Sequence, residues 1–463
     1  MMTTEPLLSD GIKMSHGDIW RPEFSTITFD TDGSEVTLGY SDDGGEQKLV
    51  VSGDKVVSEV YISDVIGAEL KEGMEITIYN YPKVEPRCGR SDPTSAVPRP
   101  RRAAHVRLMA RSDNPFLPLL VDCIRTLATG TAATRKFLVV VNPCSGKRKA
   151  LMQCDQEVRP LFAQSNIDFD LLVTTHAGHA TERMKEDGGD LSEYDGVIAV
   201  GGDGLLYEMM QGVQARGDCN DLLRRMTFGI IPAGSGNGLA ASIVHSAGEV
   251  DSILANTFVI CKNGSKPSDL SLYETAAGNK YLSFLSCSWG IVADVDLESE
   301  VLRVLGPLRF DVYAVWRMLS LKRYSGTFSY HPAELDSAPQ PPLLDMPVPS
   351  DWLSISGEFL CFWTTQTTHA AQKMYTSPGS SMNDGLFHIM ILTAECSRLQ
   401  LLQSFLAFEN GGHVKHKHVK IIKCKAYRLE PESDNSHVDL DGEEIEYGAF
   451  QASVQQSAMK LYY

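Results

Sequence analysis

No two of the ten cysteines scattered along this 463-residue chain are spaced C-x-x-C. That absence argues against a zinc site or a disulfide framework and fits a reducing compartment. His176 and His179 lie three apart, but without H-E-x-x-H they do not make a zinc helix. No apolar run approaches the ~18 residues that cross a bilayer. The start, Met1-Met2-Thr3-Thr4-Glu5-Pro6, has no basic segment leading into an apolar stretch, and no glycine stands at position 2. The end, Leu461-Tyr462-Tyr463, has no cysteine for prenylation. These absences lead us to expect a cytoplasmic protein with only peripheral recruitment to membranes. Positive charge is in short supply. Lys and Arg number 42 against 59 Asp and Glu, and the formal net charge of −17 disfavours nucleic acid as a partner. Internal repeats are absent as well.

What is present divides the chain into three. Residues 1–130 read as a β-rich module. Val36-Thr37-Leu38-Gly39-Tyr40, Lys48-Leu49-Val50-Val51 and Glu75-Ile76-Thr77-Ile78-Tyr79 are strand-like. A Pro/Arg/Ser-rich loop, 86–102, interrupts them, and an amphipathic helix at 115–127 closes the module. Strands followed by one closing helix resemble a pleckstrin-homology-like module. Arg87, Arg90, Arg99, Arg101, Arg102, Arg107 and Arg111 cluster with few acids among them. They make either a solvated loop or a patch for anionic lipid. A second basic run, Lys415, Lys417, Lys420, Lys423 and Lys425, lies near the other end.

Residues 134–267 alternate strand and helix, with strands at 137–141, 169–173, 197–200 and 227–231. Such alternation predicts an α/β domain with a parallel sheet, whose ligands sit beyond the carboxyl ends of the strands. Residues 268–463 are mainly β, with strands predicted at 281–286, 352–365, 385–392 and 419–429 and one amphipathic helix at 310–321. We expect a sandwich-like second domain there. A Pro-rich loop, 337–350, carries no evident chemistry.

Four turns follow strands in the α/β region. The most telling is Gly201-Gly202-Asp203-Gly204, reached from the buried run Val197-Ile198-Ala199-Val200. Glycines let backbone approach a phosphate, and an aspartate at a strand end can serve as a general base. The first turn is Asn142-Pro143-Cys144-Ser145-Gly146-Lys147-Arg148-Lys149, with turn formers and three cations before a helix, which suits an anion. It is not a Walker A loop, because Val141 and Arg148 fill the deciding positions. The second is Thr174-Thr175-His176-Ala177-Gly178-His179, and the fourth is Pro232-Ala233-Gly234-Ser235-Gly236-Asn237-Gly238. Ser235 is no hydrolase nucleophile, since G-x-S-x-G is absent. Each turn alone has a structural explanation. Four of them at successive strand ends point to a phosphorylated ligand, a nucleotide.

The motifs N-P-x-[SG]-G-K, G-G-D-G-L-x-x-E and P-A-G-S-G-N together resemble the diacylglycerol-kinase-type catalytic domain of lipid kinases. The segment Ser288-Trp289-Gly290-Ile291-Val292-Ala293-Asp294-Val295-Asp296-Leu297-Glu298-Ser299-Glu300 is similar to the substrate-binding segment of sphingosine kinases. The resemblance runs from about Arg135 to the C-terminus. It implies a kinase that moves phosphate from ATP, with Mg²⁺, to the primary hydroxyl of sphingosine or a related sphingoid base. Ceramide kinase, diacylglycerol kinase and a non-catalytic lipid sensor are the alternatives.

The resemblance also implies roles for residues. Asp203 is the base, with Gly201, Gly202 and Gly204 shaping its turn. Asn142, Pro143, Cys144, Lys147, Lys149, Thr174, Thr175, Gly178, Glu208, Gly234, Ser235 and Gly236 match nucleotide-binding positions. The family commonly has Arg where Cys144 stands, and His176-Ala177-Gly178 departs from a charged sequence. Arg303 and Arg309 match arginines on the ATP phosphates, and Asp441-Gly442-Glu443 matches a turn that returns to the nucleotide. Asp296 matches the carboxylate that holds the sphingoid amine, with Ser286 nearby. If the strand continues, Asp294 and Asp296 share one face of it. Phe310, Val312, Tyr313, Trp316, Met318 and Leu319 are either wall or lid of an apolar pocket or plain helix core. The implied partners are the lipid and a membrane surface, with a homodimer left open.

Overall fold

The computed structural model describes residues 20–463 except 21–23, 25, 26, 32, 33, 44, 54–56, 85–97, 113, 186–189, 235, 300, 303–307, 336–340 and 433–435. The chain forms two compact units. One comprises the residues up to Arg135 with Pro160–Asp168 and Cys261–Asn263, the other Lys136–Arg159, Phe169–Ile260 and Gly264–Tyr463.

The first unit is a seven-stranded antiparallel sheet. Its order is Val57–Tyr61, Glu46–Gly53, Ser34–Asp43, Thr28–Thr31, Val106–Ala110, Glu75–Asn80 and Val65–Lys71. Alternation decides its inner face: Val36 and Leu38 are buried while Thr37 between them is exposed. The helix Leu117–Thr129 buries Leu117, Leu120, Val121, Ile124 and Leu127 in the same core, an i, i+3, i+4, i+7 stripe. Two members of the arginine cluster are engaged by the unit's own groups. Buried Arg101 donates to Asp64 at 2.7 Å and to the Tyr81 carbonyl at 2.6 Å. Arg111 pairs with Asp30 and Glu35. Arg87 and Arg90 lie outside the described residues.

The second unit is built on one hydrogen-bonded network of fourteen strands. Ile167–Val173, Arg135–Val141, Gly196–Gly201 and Thr227–Pro232 follow one another at one end, and Gly196–Gly201 is parallel to both its neighbours. Val197 to Val200 are fully buried, as a strand covered on both faces requires. The last strand, Phe450–Tyr462, joins the two halves. It runs parallel to Thr227–Pro232 and antiparallel to Ser265–Thr275 and Lys420–Pro431. Beyond it, Ser286–Gly290, Tyr324–Pro332, Leu353–Thr365 and Phe387–Thr393 make the mainly antiparallel half. The expected parallel α/β half, the mainly-β half and the β-rich N-terminal module are all present.

Two local expectations change. The strand predicted at 281–286 breaks after Ser283 and restarts at Ser286, because the backbone N–H groups of Phe284, Leu285 and Ser286 turn to the Asp441 carboxylate. The strand expected to run on through Asp294 and Asp296 is instead the helix Ile291–Glu298. Gly290, at φ 93°, redirects the chain there, and a Cβ on it would stand 2.8 Å from the Leu360 carbonyl oxygen. Asp294 then lies in the first helical turn, where the positive end of the peptide dipoles favours an acid.

Candidate active site

Three of the four turns converge by packing backbone on backbone. The N–H groups of Ala233 and Gly234 both donate to the Gly201 carbonyl, at 2.9 and 3.1 Å. A Cβ on Gly234 would stand 2.6 Å from Gly202 Cα, and one on Gly146 would stand 2.1 Å from the Ala233 carbonyl oxygen. The glycines thus serve close packing of the turns on one another, a demand made before any ligand arrives. In the first turn Asn142 Oδ1 accepts the Cys144 N–H at 2.9 Å, so that turn is set by its own side chain. Cys144 and Lys149 are exposed, and Lys147 lies in the short helix Ser145–Arg148 that follows.

The second turn is held from two sides. Thr175 N–H donates to His179 Nδ1 at 3.1 Å, and the His176 and His179 rings stack at 4.9 Å. Glu208, on the helix Asp203–Gln214, accepts the Gly178 N–H at 3.1 Å. Glu208 therefore ties the second turn to the helix that begins at Asp203, and its half-burial raises its carboxyl above the ordinary range. Thr174 anchors the same turn by donating its N–H to the Val141 carbonyl at 2.9 Å.

Asp203 is 5% exposed. Its two oxygens accept the N–H groups of Gly238 (2.6 Å) and Leu239 (3.2 Å), the first residues of the helix Gly238–Ser246. Burial nevertheless dominates and pushes its carboxyl up to about 7. A carboxylate holds about four lone-pair sites, so two N–H bonds leave room for a third donor. Such a group can accept a proton near neutral pH.

The turn Asp441-Gly442-Glu443 comes from the far end of the sequence. Asp441 is buried and accepts Ser283 Oγ at 2.7 Å, together with the N–H groups of Phe284, Leu285 and Ser286 at 2.9–3.1 Å. Burial still lifts its carboxyl to about 6. Asp441 is thus a clasp for the loop that leads to Ser286, and Ser286 returns its carbonyl to the Asp441 N–H at 2.9 Å. Glu443 reaches the start of the Asp203 helix, its Oε1 3.0 Å from where a Cβ on Gly204 would stand.

Asp294 and Asp296 part company. Two helical residues span about 200°, so their side chains leave opposite faces. Asp294 is fully buried and accepts Tyr324 Oη at 2.5 Å and Arg317 Nη2 at 2.9 Å, with Lys322 Nζ at 3.5 Å. Arg317 also binds Glu298, which Tyr313 joins. Asp296 is half-buried and turns toward Gly442, its Oδ2 3.9 Å from where a Cβ there would stand. On the strand Val438–Leu440, Asp439 faces the same place. It accepts Ser288 Oγ at 3.0 Å and the Gly442 N–H at 2.9 Å. Burial first, then the negative charge of Asp296, holds the Asp439 carboxyl well above its ordinary range. Sequence reasoning missed Asp439, which lies on the strand just before the D-G-E turn.

Arg309 packs over the Phe310 ring at 4.5 Å from its centroid. Arg303 and Ser235 lie outside the described residues. The helix Leu308–Ser320 splits the predicted pocket residues. Met318 is buried and Phe310 and Tyr313 pack against a cluster with Ile291, Val295, Leu360, Trp363, Leu401 and Phe408. Val312, Trp316 and Leu319 are 51%, 52% and 66% exposed, so they are not core.

Residues 136–272 match the family model "Diacylglycerol kinase catalytic domain", and residues 359–463 match "YegS C-terminal NAD kinase beta sandwich-like domain". The chain is 33% identical to sphingosine kinase 1 of Homo sapiens over 342 residues, covering 69% of this chain and 88% of that protein. It is 31% identical to sphingosine kinase 1 of Arabidopsis thaliana over 356 residues, covering 71% and 72%. Among solved structures, a diacylglycerol kinase from Bacillus anthracis superposes with a TM-score of 0.52 at 20% identity, covering 71% of this chain and 97% of that one. That likeness extends to the fold.

Proposed function

This chain belongs to the sphingosine kinase family, and from that premise we propose that it transfers the γ-phosphoryl group of ATP to the primary hydroxyl of a sphingoid base. The observation that carries the proposal is Asp203. It is a buried carboxylate raised to about 7, at the point where the glycine turns meet. Asp203 accepts the hydroxyl proton as the substrate oxygen attacks the γ-phosphorus, and ADP leaves with the bridging oxygen. Little covalent work falls to the protein, so positioning and charge neutralisation dominate. The turns at 142–149, 174–178 and 234–236 line the nucleotide site, with Lys147, Lys149 and Arg309 as cations. Glu208 holds the turn at 174–178, and Asp441 clasps the loop that leads to Ser286. The hard oxygens of Glu443 and of the phosphates suit Mg²⁺, which supplies charge neutralisation when bound. Asp296 takes the substrate ammonium, and the apolar cluster behind Ile291 and Val295 receives the chain.

A long-chain acceptor resides in membranes, so the enzyme must meet a lipid surface. We assign that contact to the helices Leu308–Ser320 and Arg398–Leu406, joined where Arg398 Nε donates to the Leu319 carbonyl at 3.1 Å. Val315, Trp316, Leu319, Leu399 and Leu406 are all more than half exposed there. Lys415, Lys417, Lys420 and Lys423 are exposed on the segment that follows, whereas Lys425 donates to the Leu335 carbonyl. Apolar residues beside cations suit anionic bilayers. On this reading the second unit, rather than the arginine cluster of the first, makes the contact. Serine at Trp316, Leu399 and Leu406 together should cut binding to phosphatidylserine vesicles about tenfold or more, given ~0.8 kcal/mol per buried CH₂. Unchanged binding would sink the assignment.

The reaction is tested by offering sphingosine, ceramide and diacylglycerol in parallel, with wild type and Asp203→Asn. Transfer to sphingosine should fall about 10³-fold in the variant, the usual scale of a lost general base. Transfer to ceramide or diacylglycerol instead would keep the Asp203 role and overturn that of Asp296.

A further inference from the structure

The first two N–H groups of the helix Gly238–Ser246 hold the Asp203 carboxylate, and one face of the same helix is fastened to a loop from the mainly antiparallel half. Ser242 makes the fastening and is fully buried. Its Oγ accepts the His369 N–H at 3.0 Å and donates to the Gly238 carbonyl at 2.8 Å. One helical turn on, and so on the same face, the His245 ring lies 4.9 Å from that of His369 and 5.1 Å from that of Tyr375. The His369 and Tyr375 rings stack on each other at 4.8 Å. Burial, then the neighbouring His245, pushes the His369 ring down to about 4, so this second attachment is packing between neutral His369 and its neighbours. At the start of the helix the loop comes close to the backbone. A Cβ on Gly238 would stand 2.5 Å from the Ala370 carbonyl oxygen and 2.8 Å from that of His369.

The loop folds back on itself, the Ala370 N–H donating to the Met374 carbonyl at 3.0 Å and the Met374 N–H to that of Ala371 at 2.9 Å. Ala370 and Met374 pack against the apolar cluster that holds Ile291, Val295, Trp363 and Phe408. Residues 369–375 therefore touch the helix that holds the base and also the cluster assigned above to the alkyl chain.

We propose that Ser242 is a positioning residue that couples occupancy of the chain site to the placement of Asp203. The proposal rests on the sphingoid-base reading above and deepens it. A long chain lying against Ala370 and Met374 supports the loop. Through Ser242 the loop braces Gly238, and the N–H groups of Gly238 and Leu239 aim the Asp203 carboxylate. A short chain leaves the loop without that support. Binding energy from the unreactive part of the substrate then goes into orienting the base, and it shows in kcat as well as in KM.

The test compares sphingosine with a short-chain analogue of the same headgroup, in wild type and in Ser242→Ala, with the full chain. In wild type kcat should be about tenfold lower for the analogue, because truncated substrates lose kcat when remote binding energy orients the reacting groups. In Ser242→Ala kcat for sphingosine should fall about tenfold, to the level of the analogue, and the two substrates should become alike. The pH midpoint of kcat/KM should also move up, since the N–H groups that favour ionised Asp203 are held less firmly. Met374→Ala trims the loop where it meets the apolar cluster and leaves both bonds of Ser242 in place, so it serves if Ser242→Ala does not fold. It too should shrink the ratio of the two kcat values. An equal loss of kcat for both substrates in Ser242→Ala would mark a plain structural role and overturn the proposal, and so would a wild-type kcat that ignores chain length. Failure of wild type to phosphorylate sphingosine at all would overturn the underlying reading instead, and it is seen before any substitution is made.

Discussion

The two faces of the helix Ile291–Glu298 carry the same residue type and opposite electrostatics. On one face Asp294 is enclosed by Arg317, Lys322 and Tyr324, and Glu298 completes the cluster with Arg317 and Tyr313. On the other, Asp296 looks toward Asp439 and the D-G-E turn. The first face has its countercharge within the chain and fastens the helix Leu308–Ser320. The second gathers acids beside the D-G-E turn. Two aspartates two residues apart are thus turned to opposite faces by one backbone event, the turn at Gly290.

The sharpest way to break that comparison is to remove each acid in turn. Asp294→Ala removes one of the two carboxylates on buried Arg317 and the acceptor of the buried Tyr324 hydroxyl, and breaking a buried pair costs about 3–5 kcal/mol. Thermal unfolding of the variant should start well below that of wild type, with activity lost in proportion to folded protein. Asp296→Asn should leave the melting temperature nearly unchanged and raise KM for sphingosine about ten- to a hundredfold, on the scale of a charge-assisted contact. Equal losses of stability from the two substitutions would erase the distinction.

The comparison also marks where sequence reasoning reached and where it stopped. The parallel strands were legible because Val197–Val200 and Phe137–Val141 are unbroken apolar runs that only a doubly covered strand explains. The four turns were legible from glycine and polar residues at strand ends. The helix at Ile291 was not, because Ile291, Val292 and Val295 favour a strand and the decision lies in the φ of Gly290 and the nearness of Leu360. Asp439 was missed for a different reason. Its meaning depends on Ser288, 151 positions away, brought opposite by sheet register. The helix Arg398–Leu406 had a readable start, since Ser397 and Gln400 form a capping box, and was passed over in a region read as strands.

The smallest expected effect concerns pH, and it sets Asp203 against the Asp294 face. A carboxyl raised to about 7 favours folding while protonated, so its stabilising contribution is full below the unfolded value near 4 and is lost as pH rises to about 7. Under the proposed mechanism catalysis runs the other way, because only the ionised group accepts the hydroxyl proton. Between pH 8 and pH 6 kcat/KM should fall by roughly tenfold, as one ionisation at about 7 requires. Melting temperature over pH 5 to 7 should decline in wild type and decline less in Asp203→Asn, where the titrating group is gone. The same slope in both proteins would mean that Asp203 is not the group whose burial sets this balance. The enzyme would then have to draw its proton acceptor from Asp441, whose carboxyl is raised to about 6 but is already fully engaged by the loop it clasps.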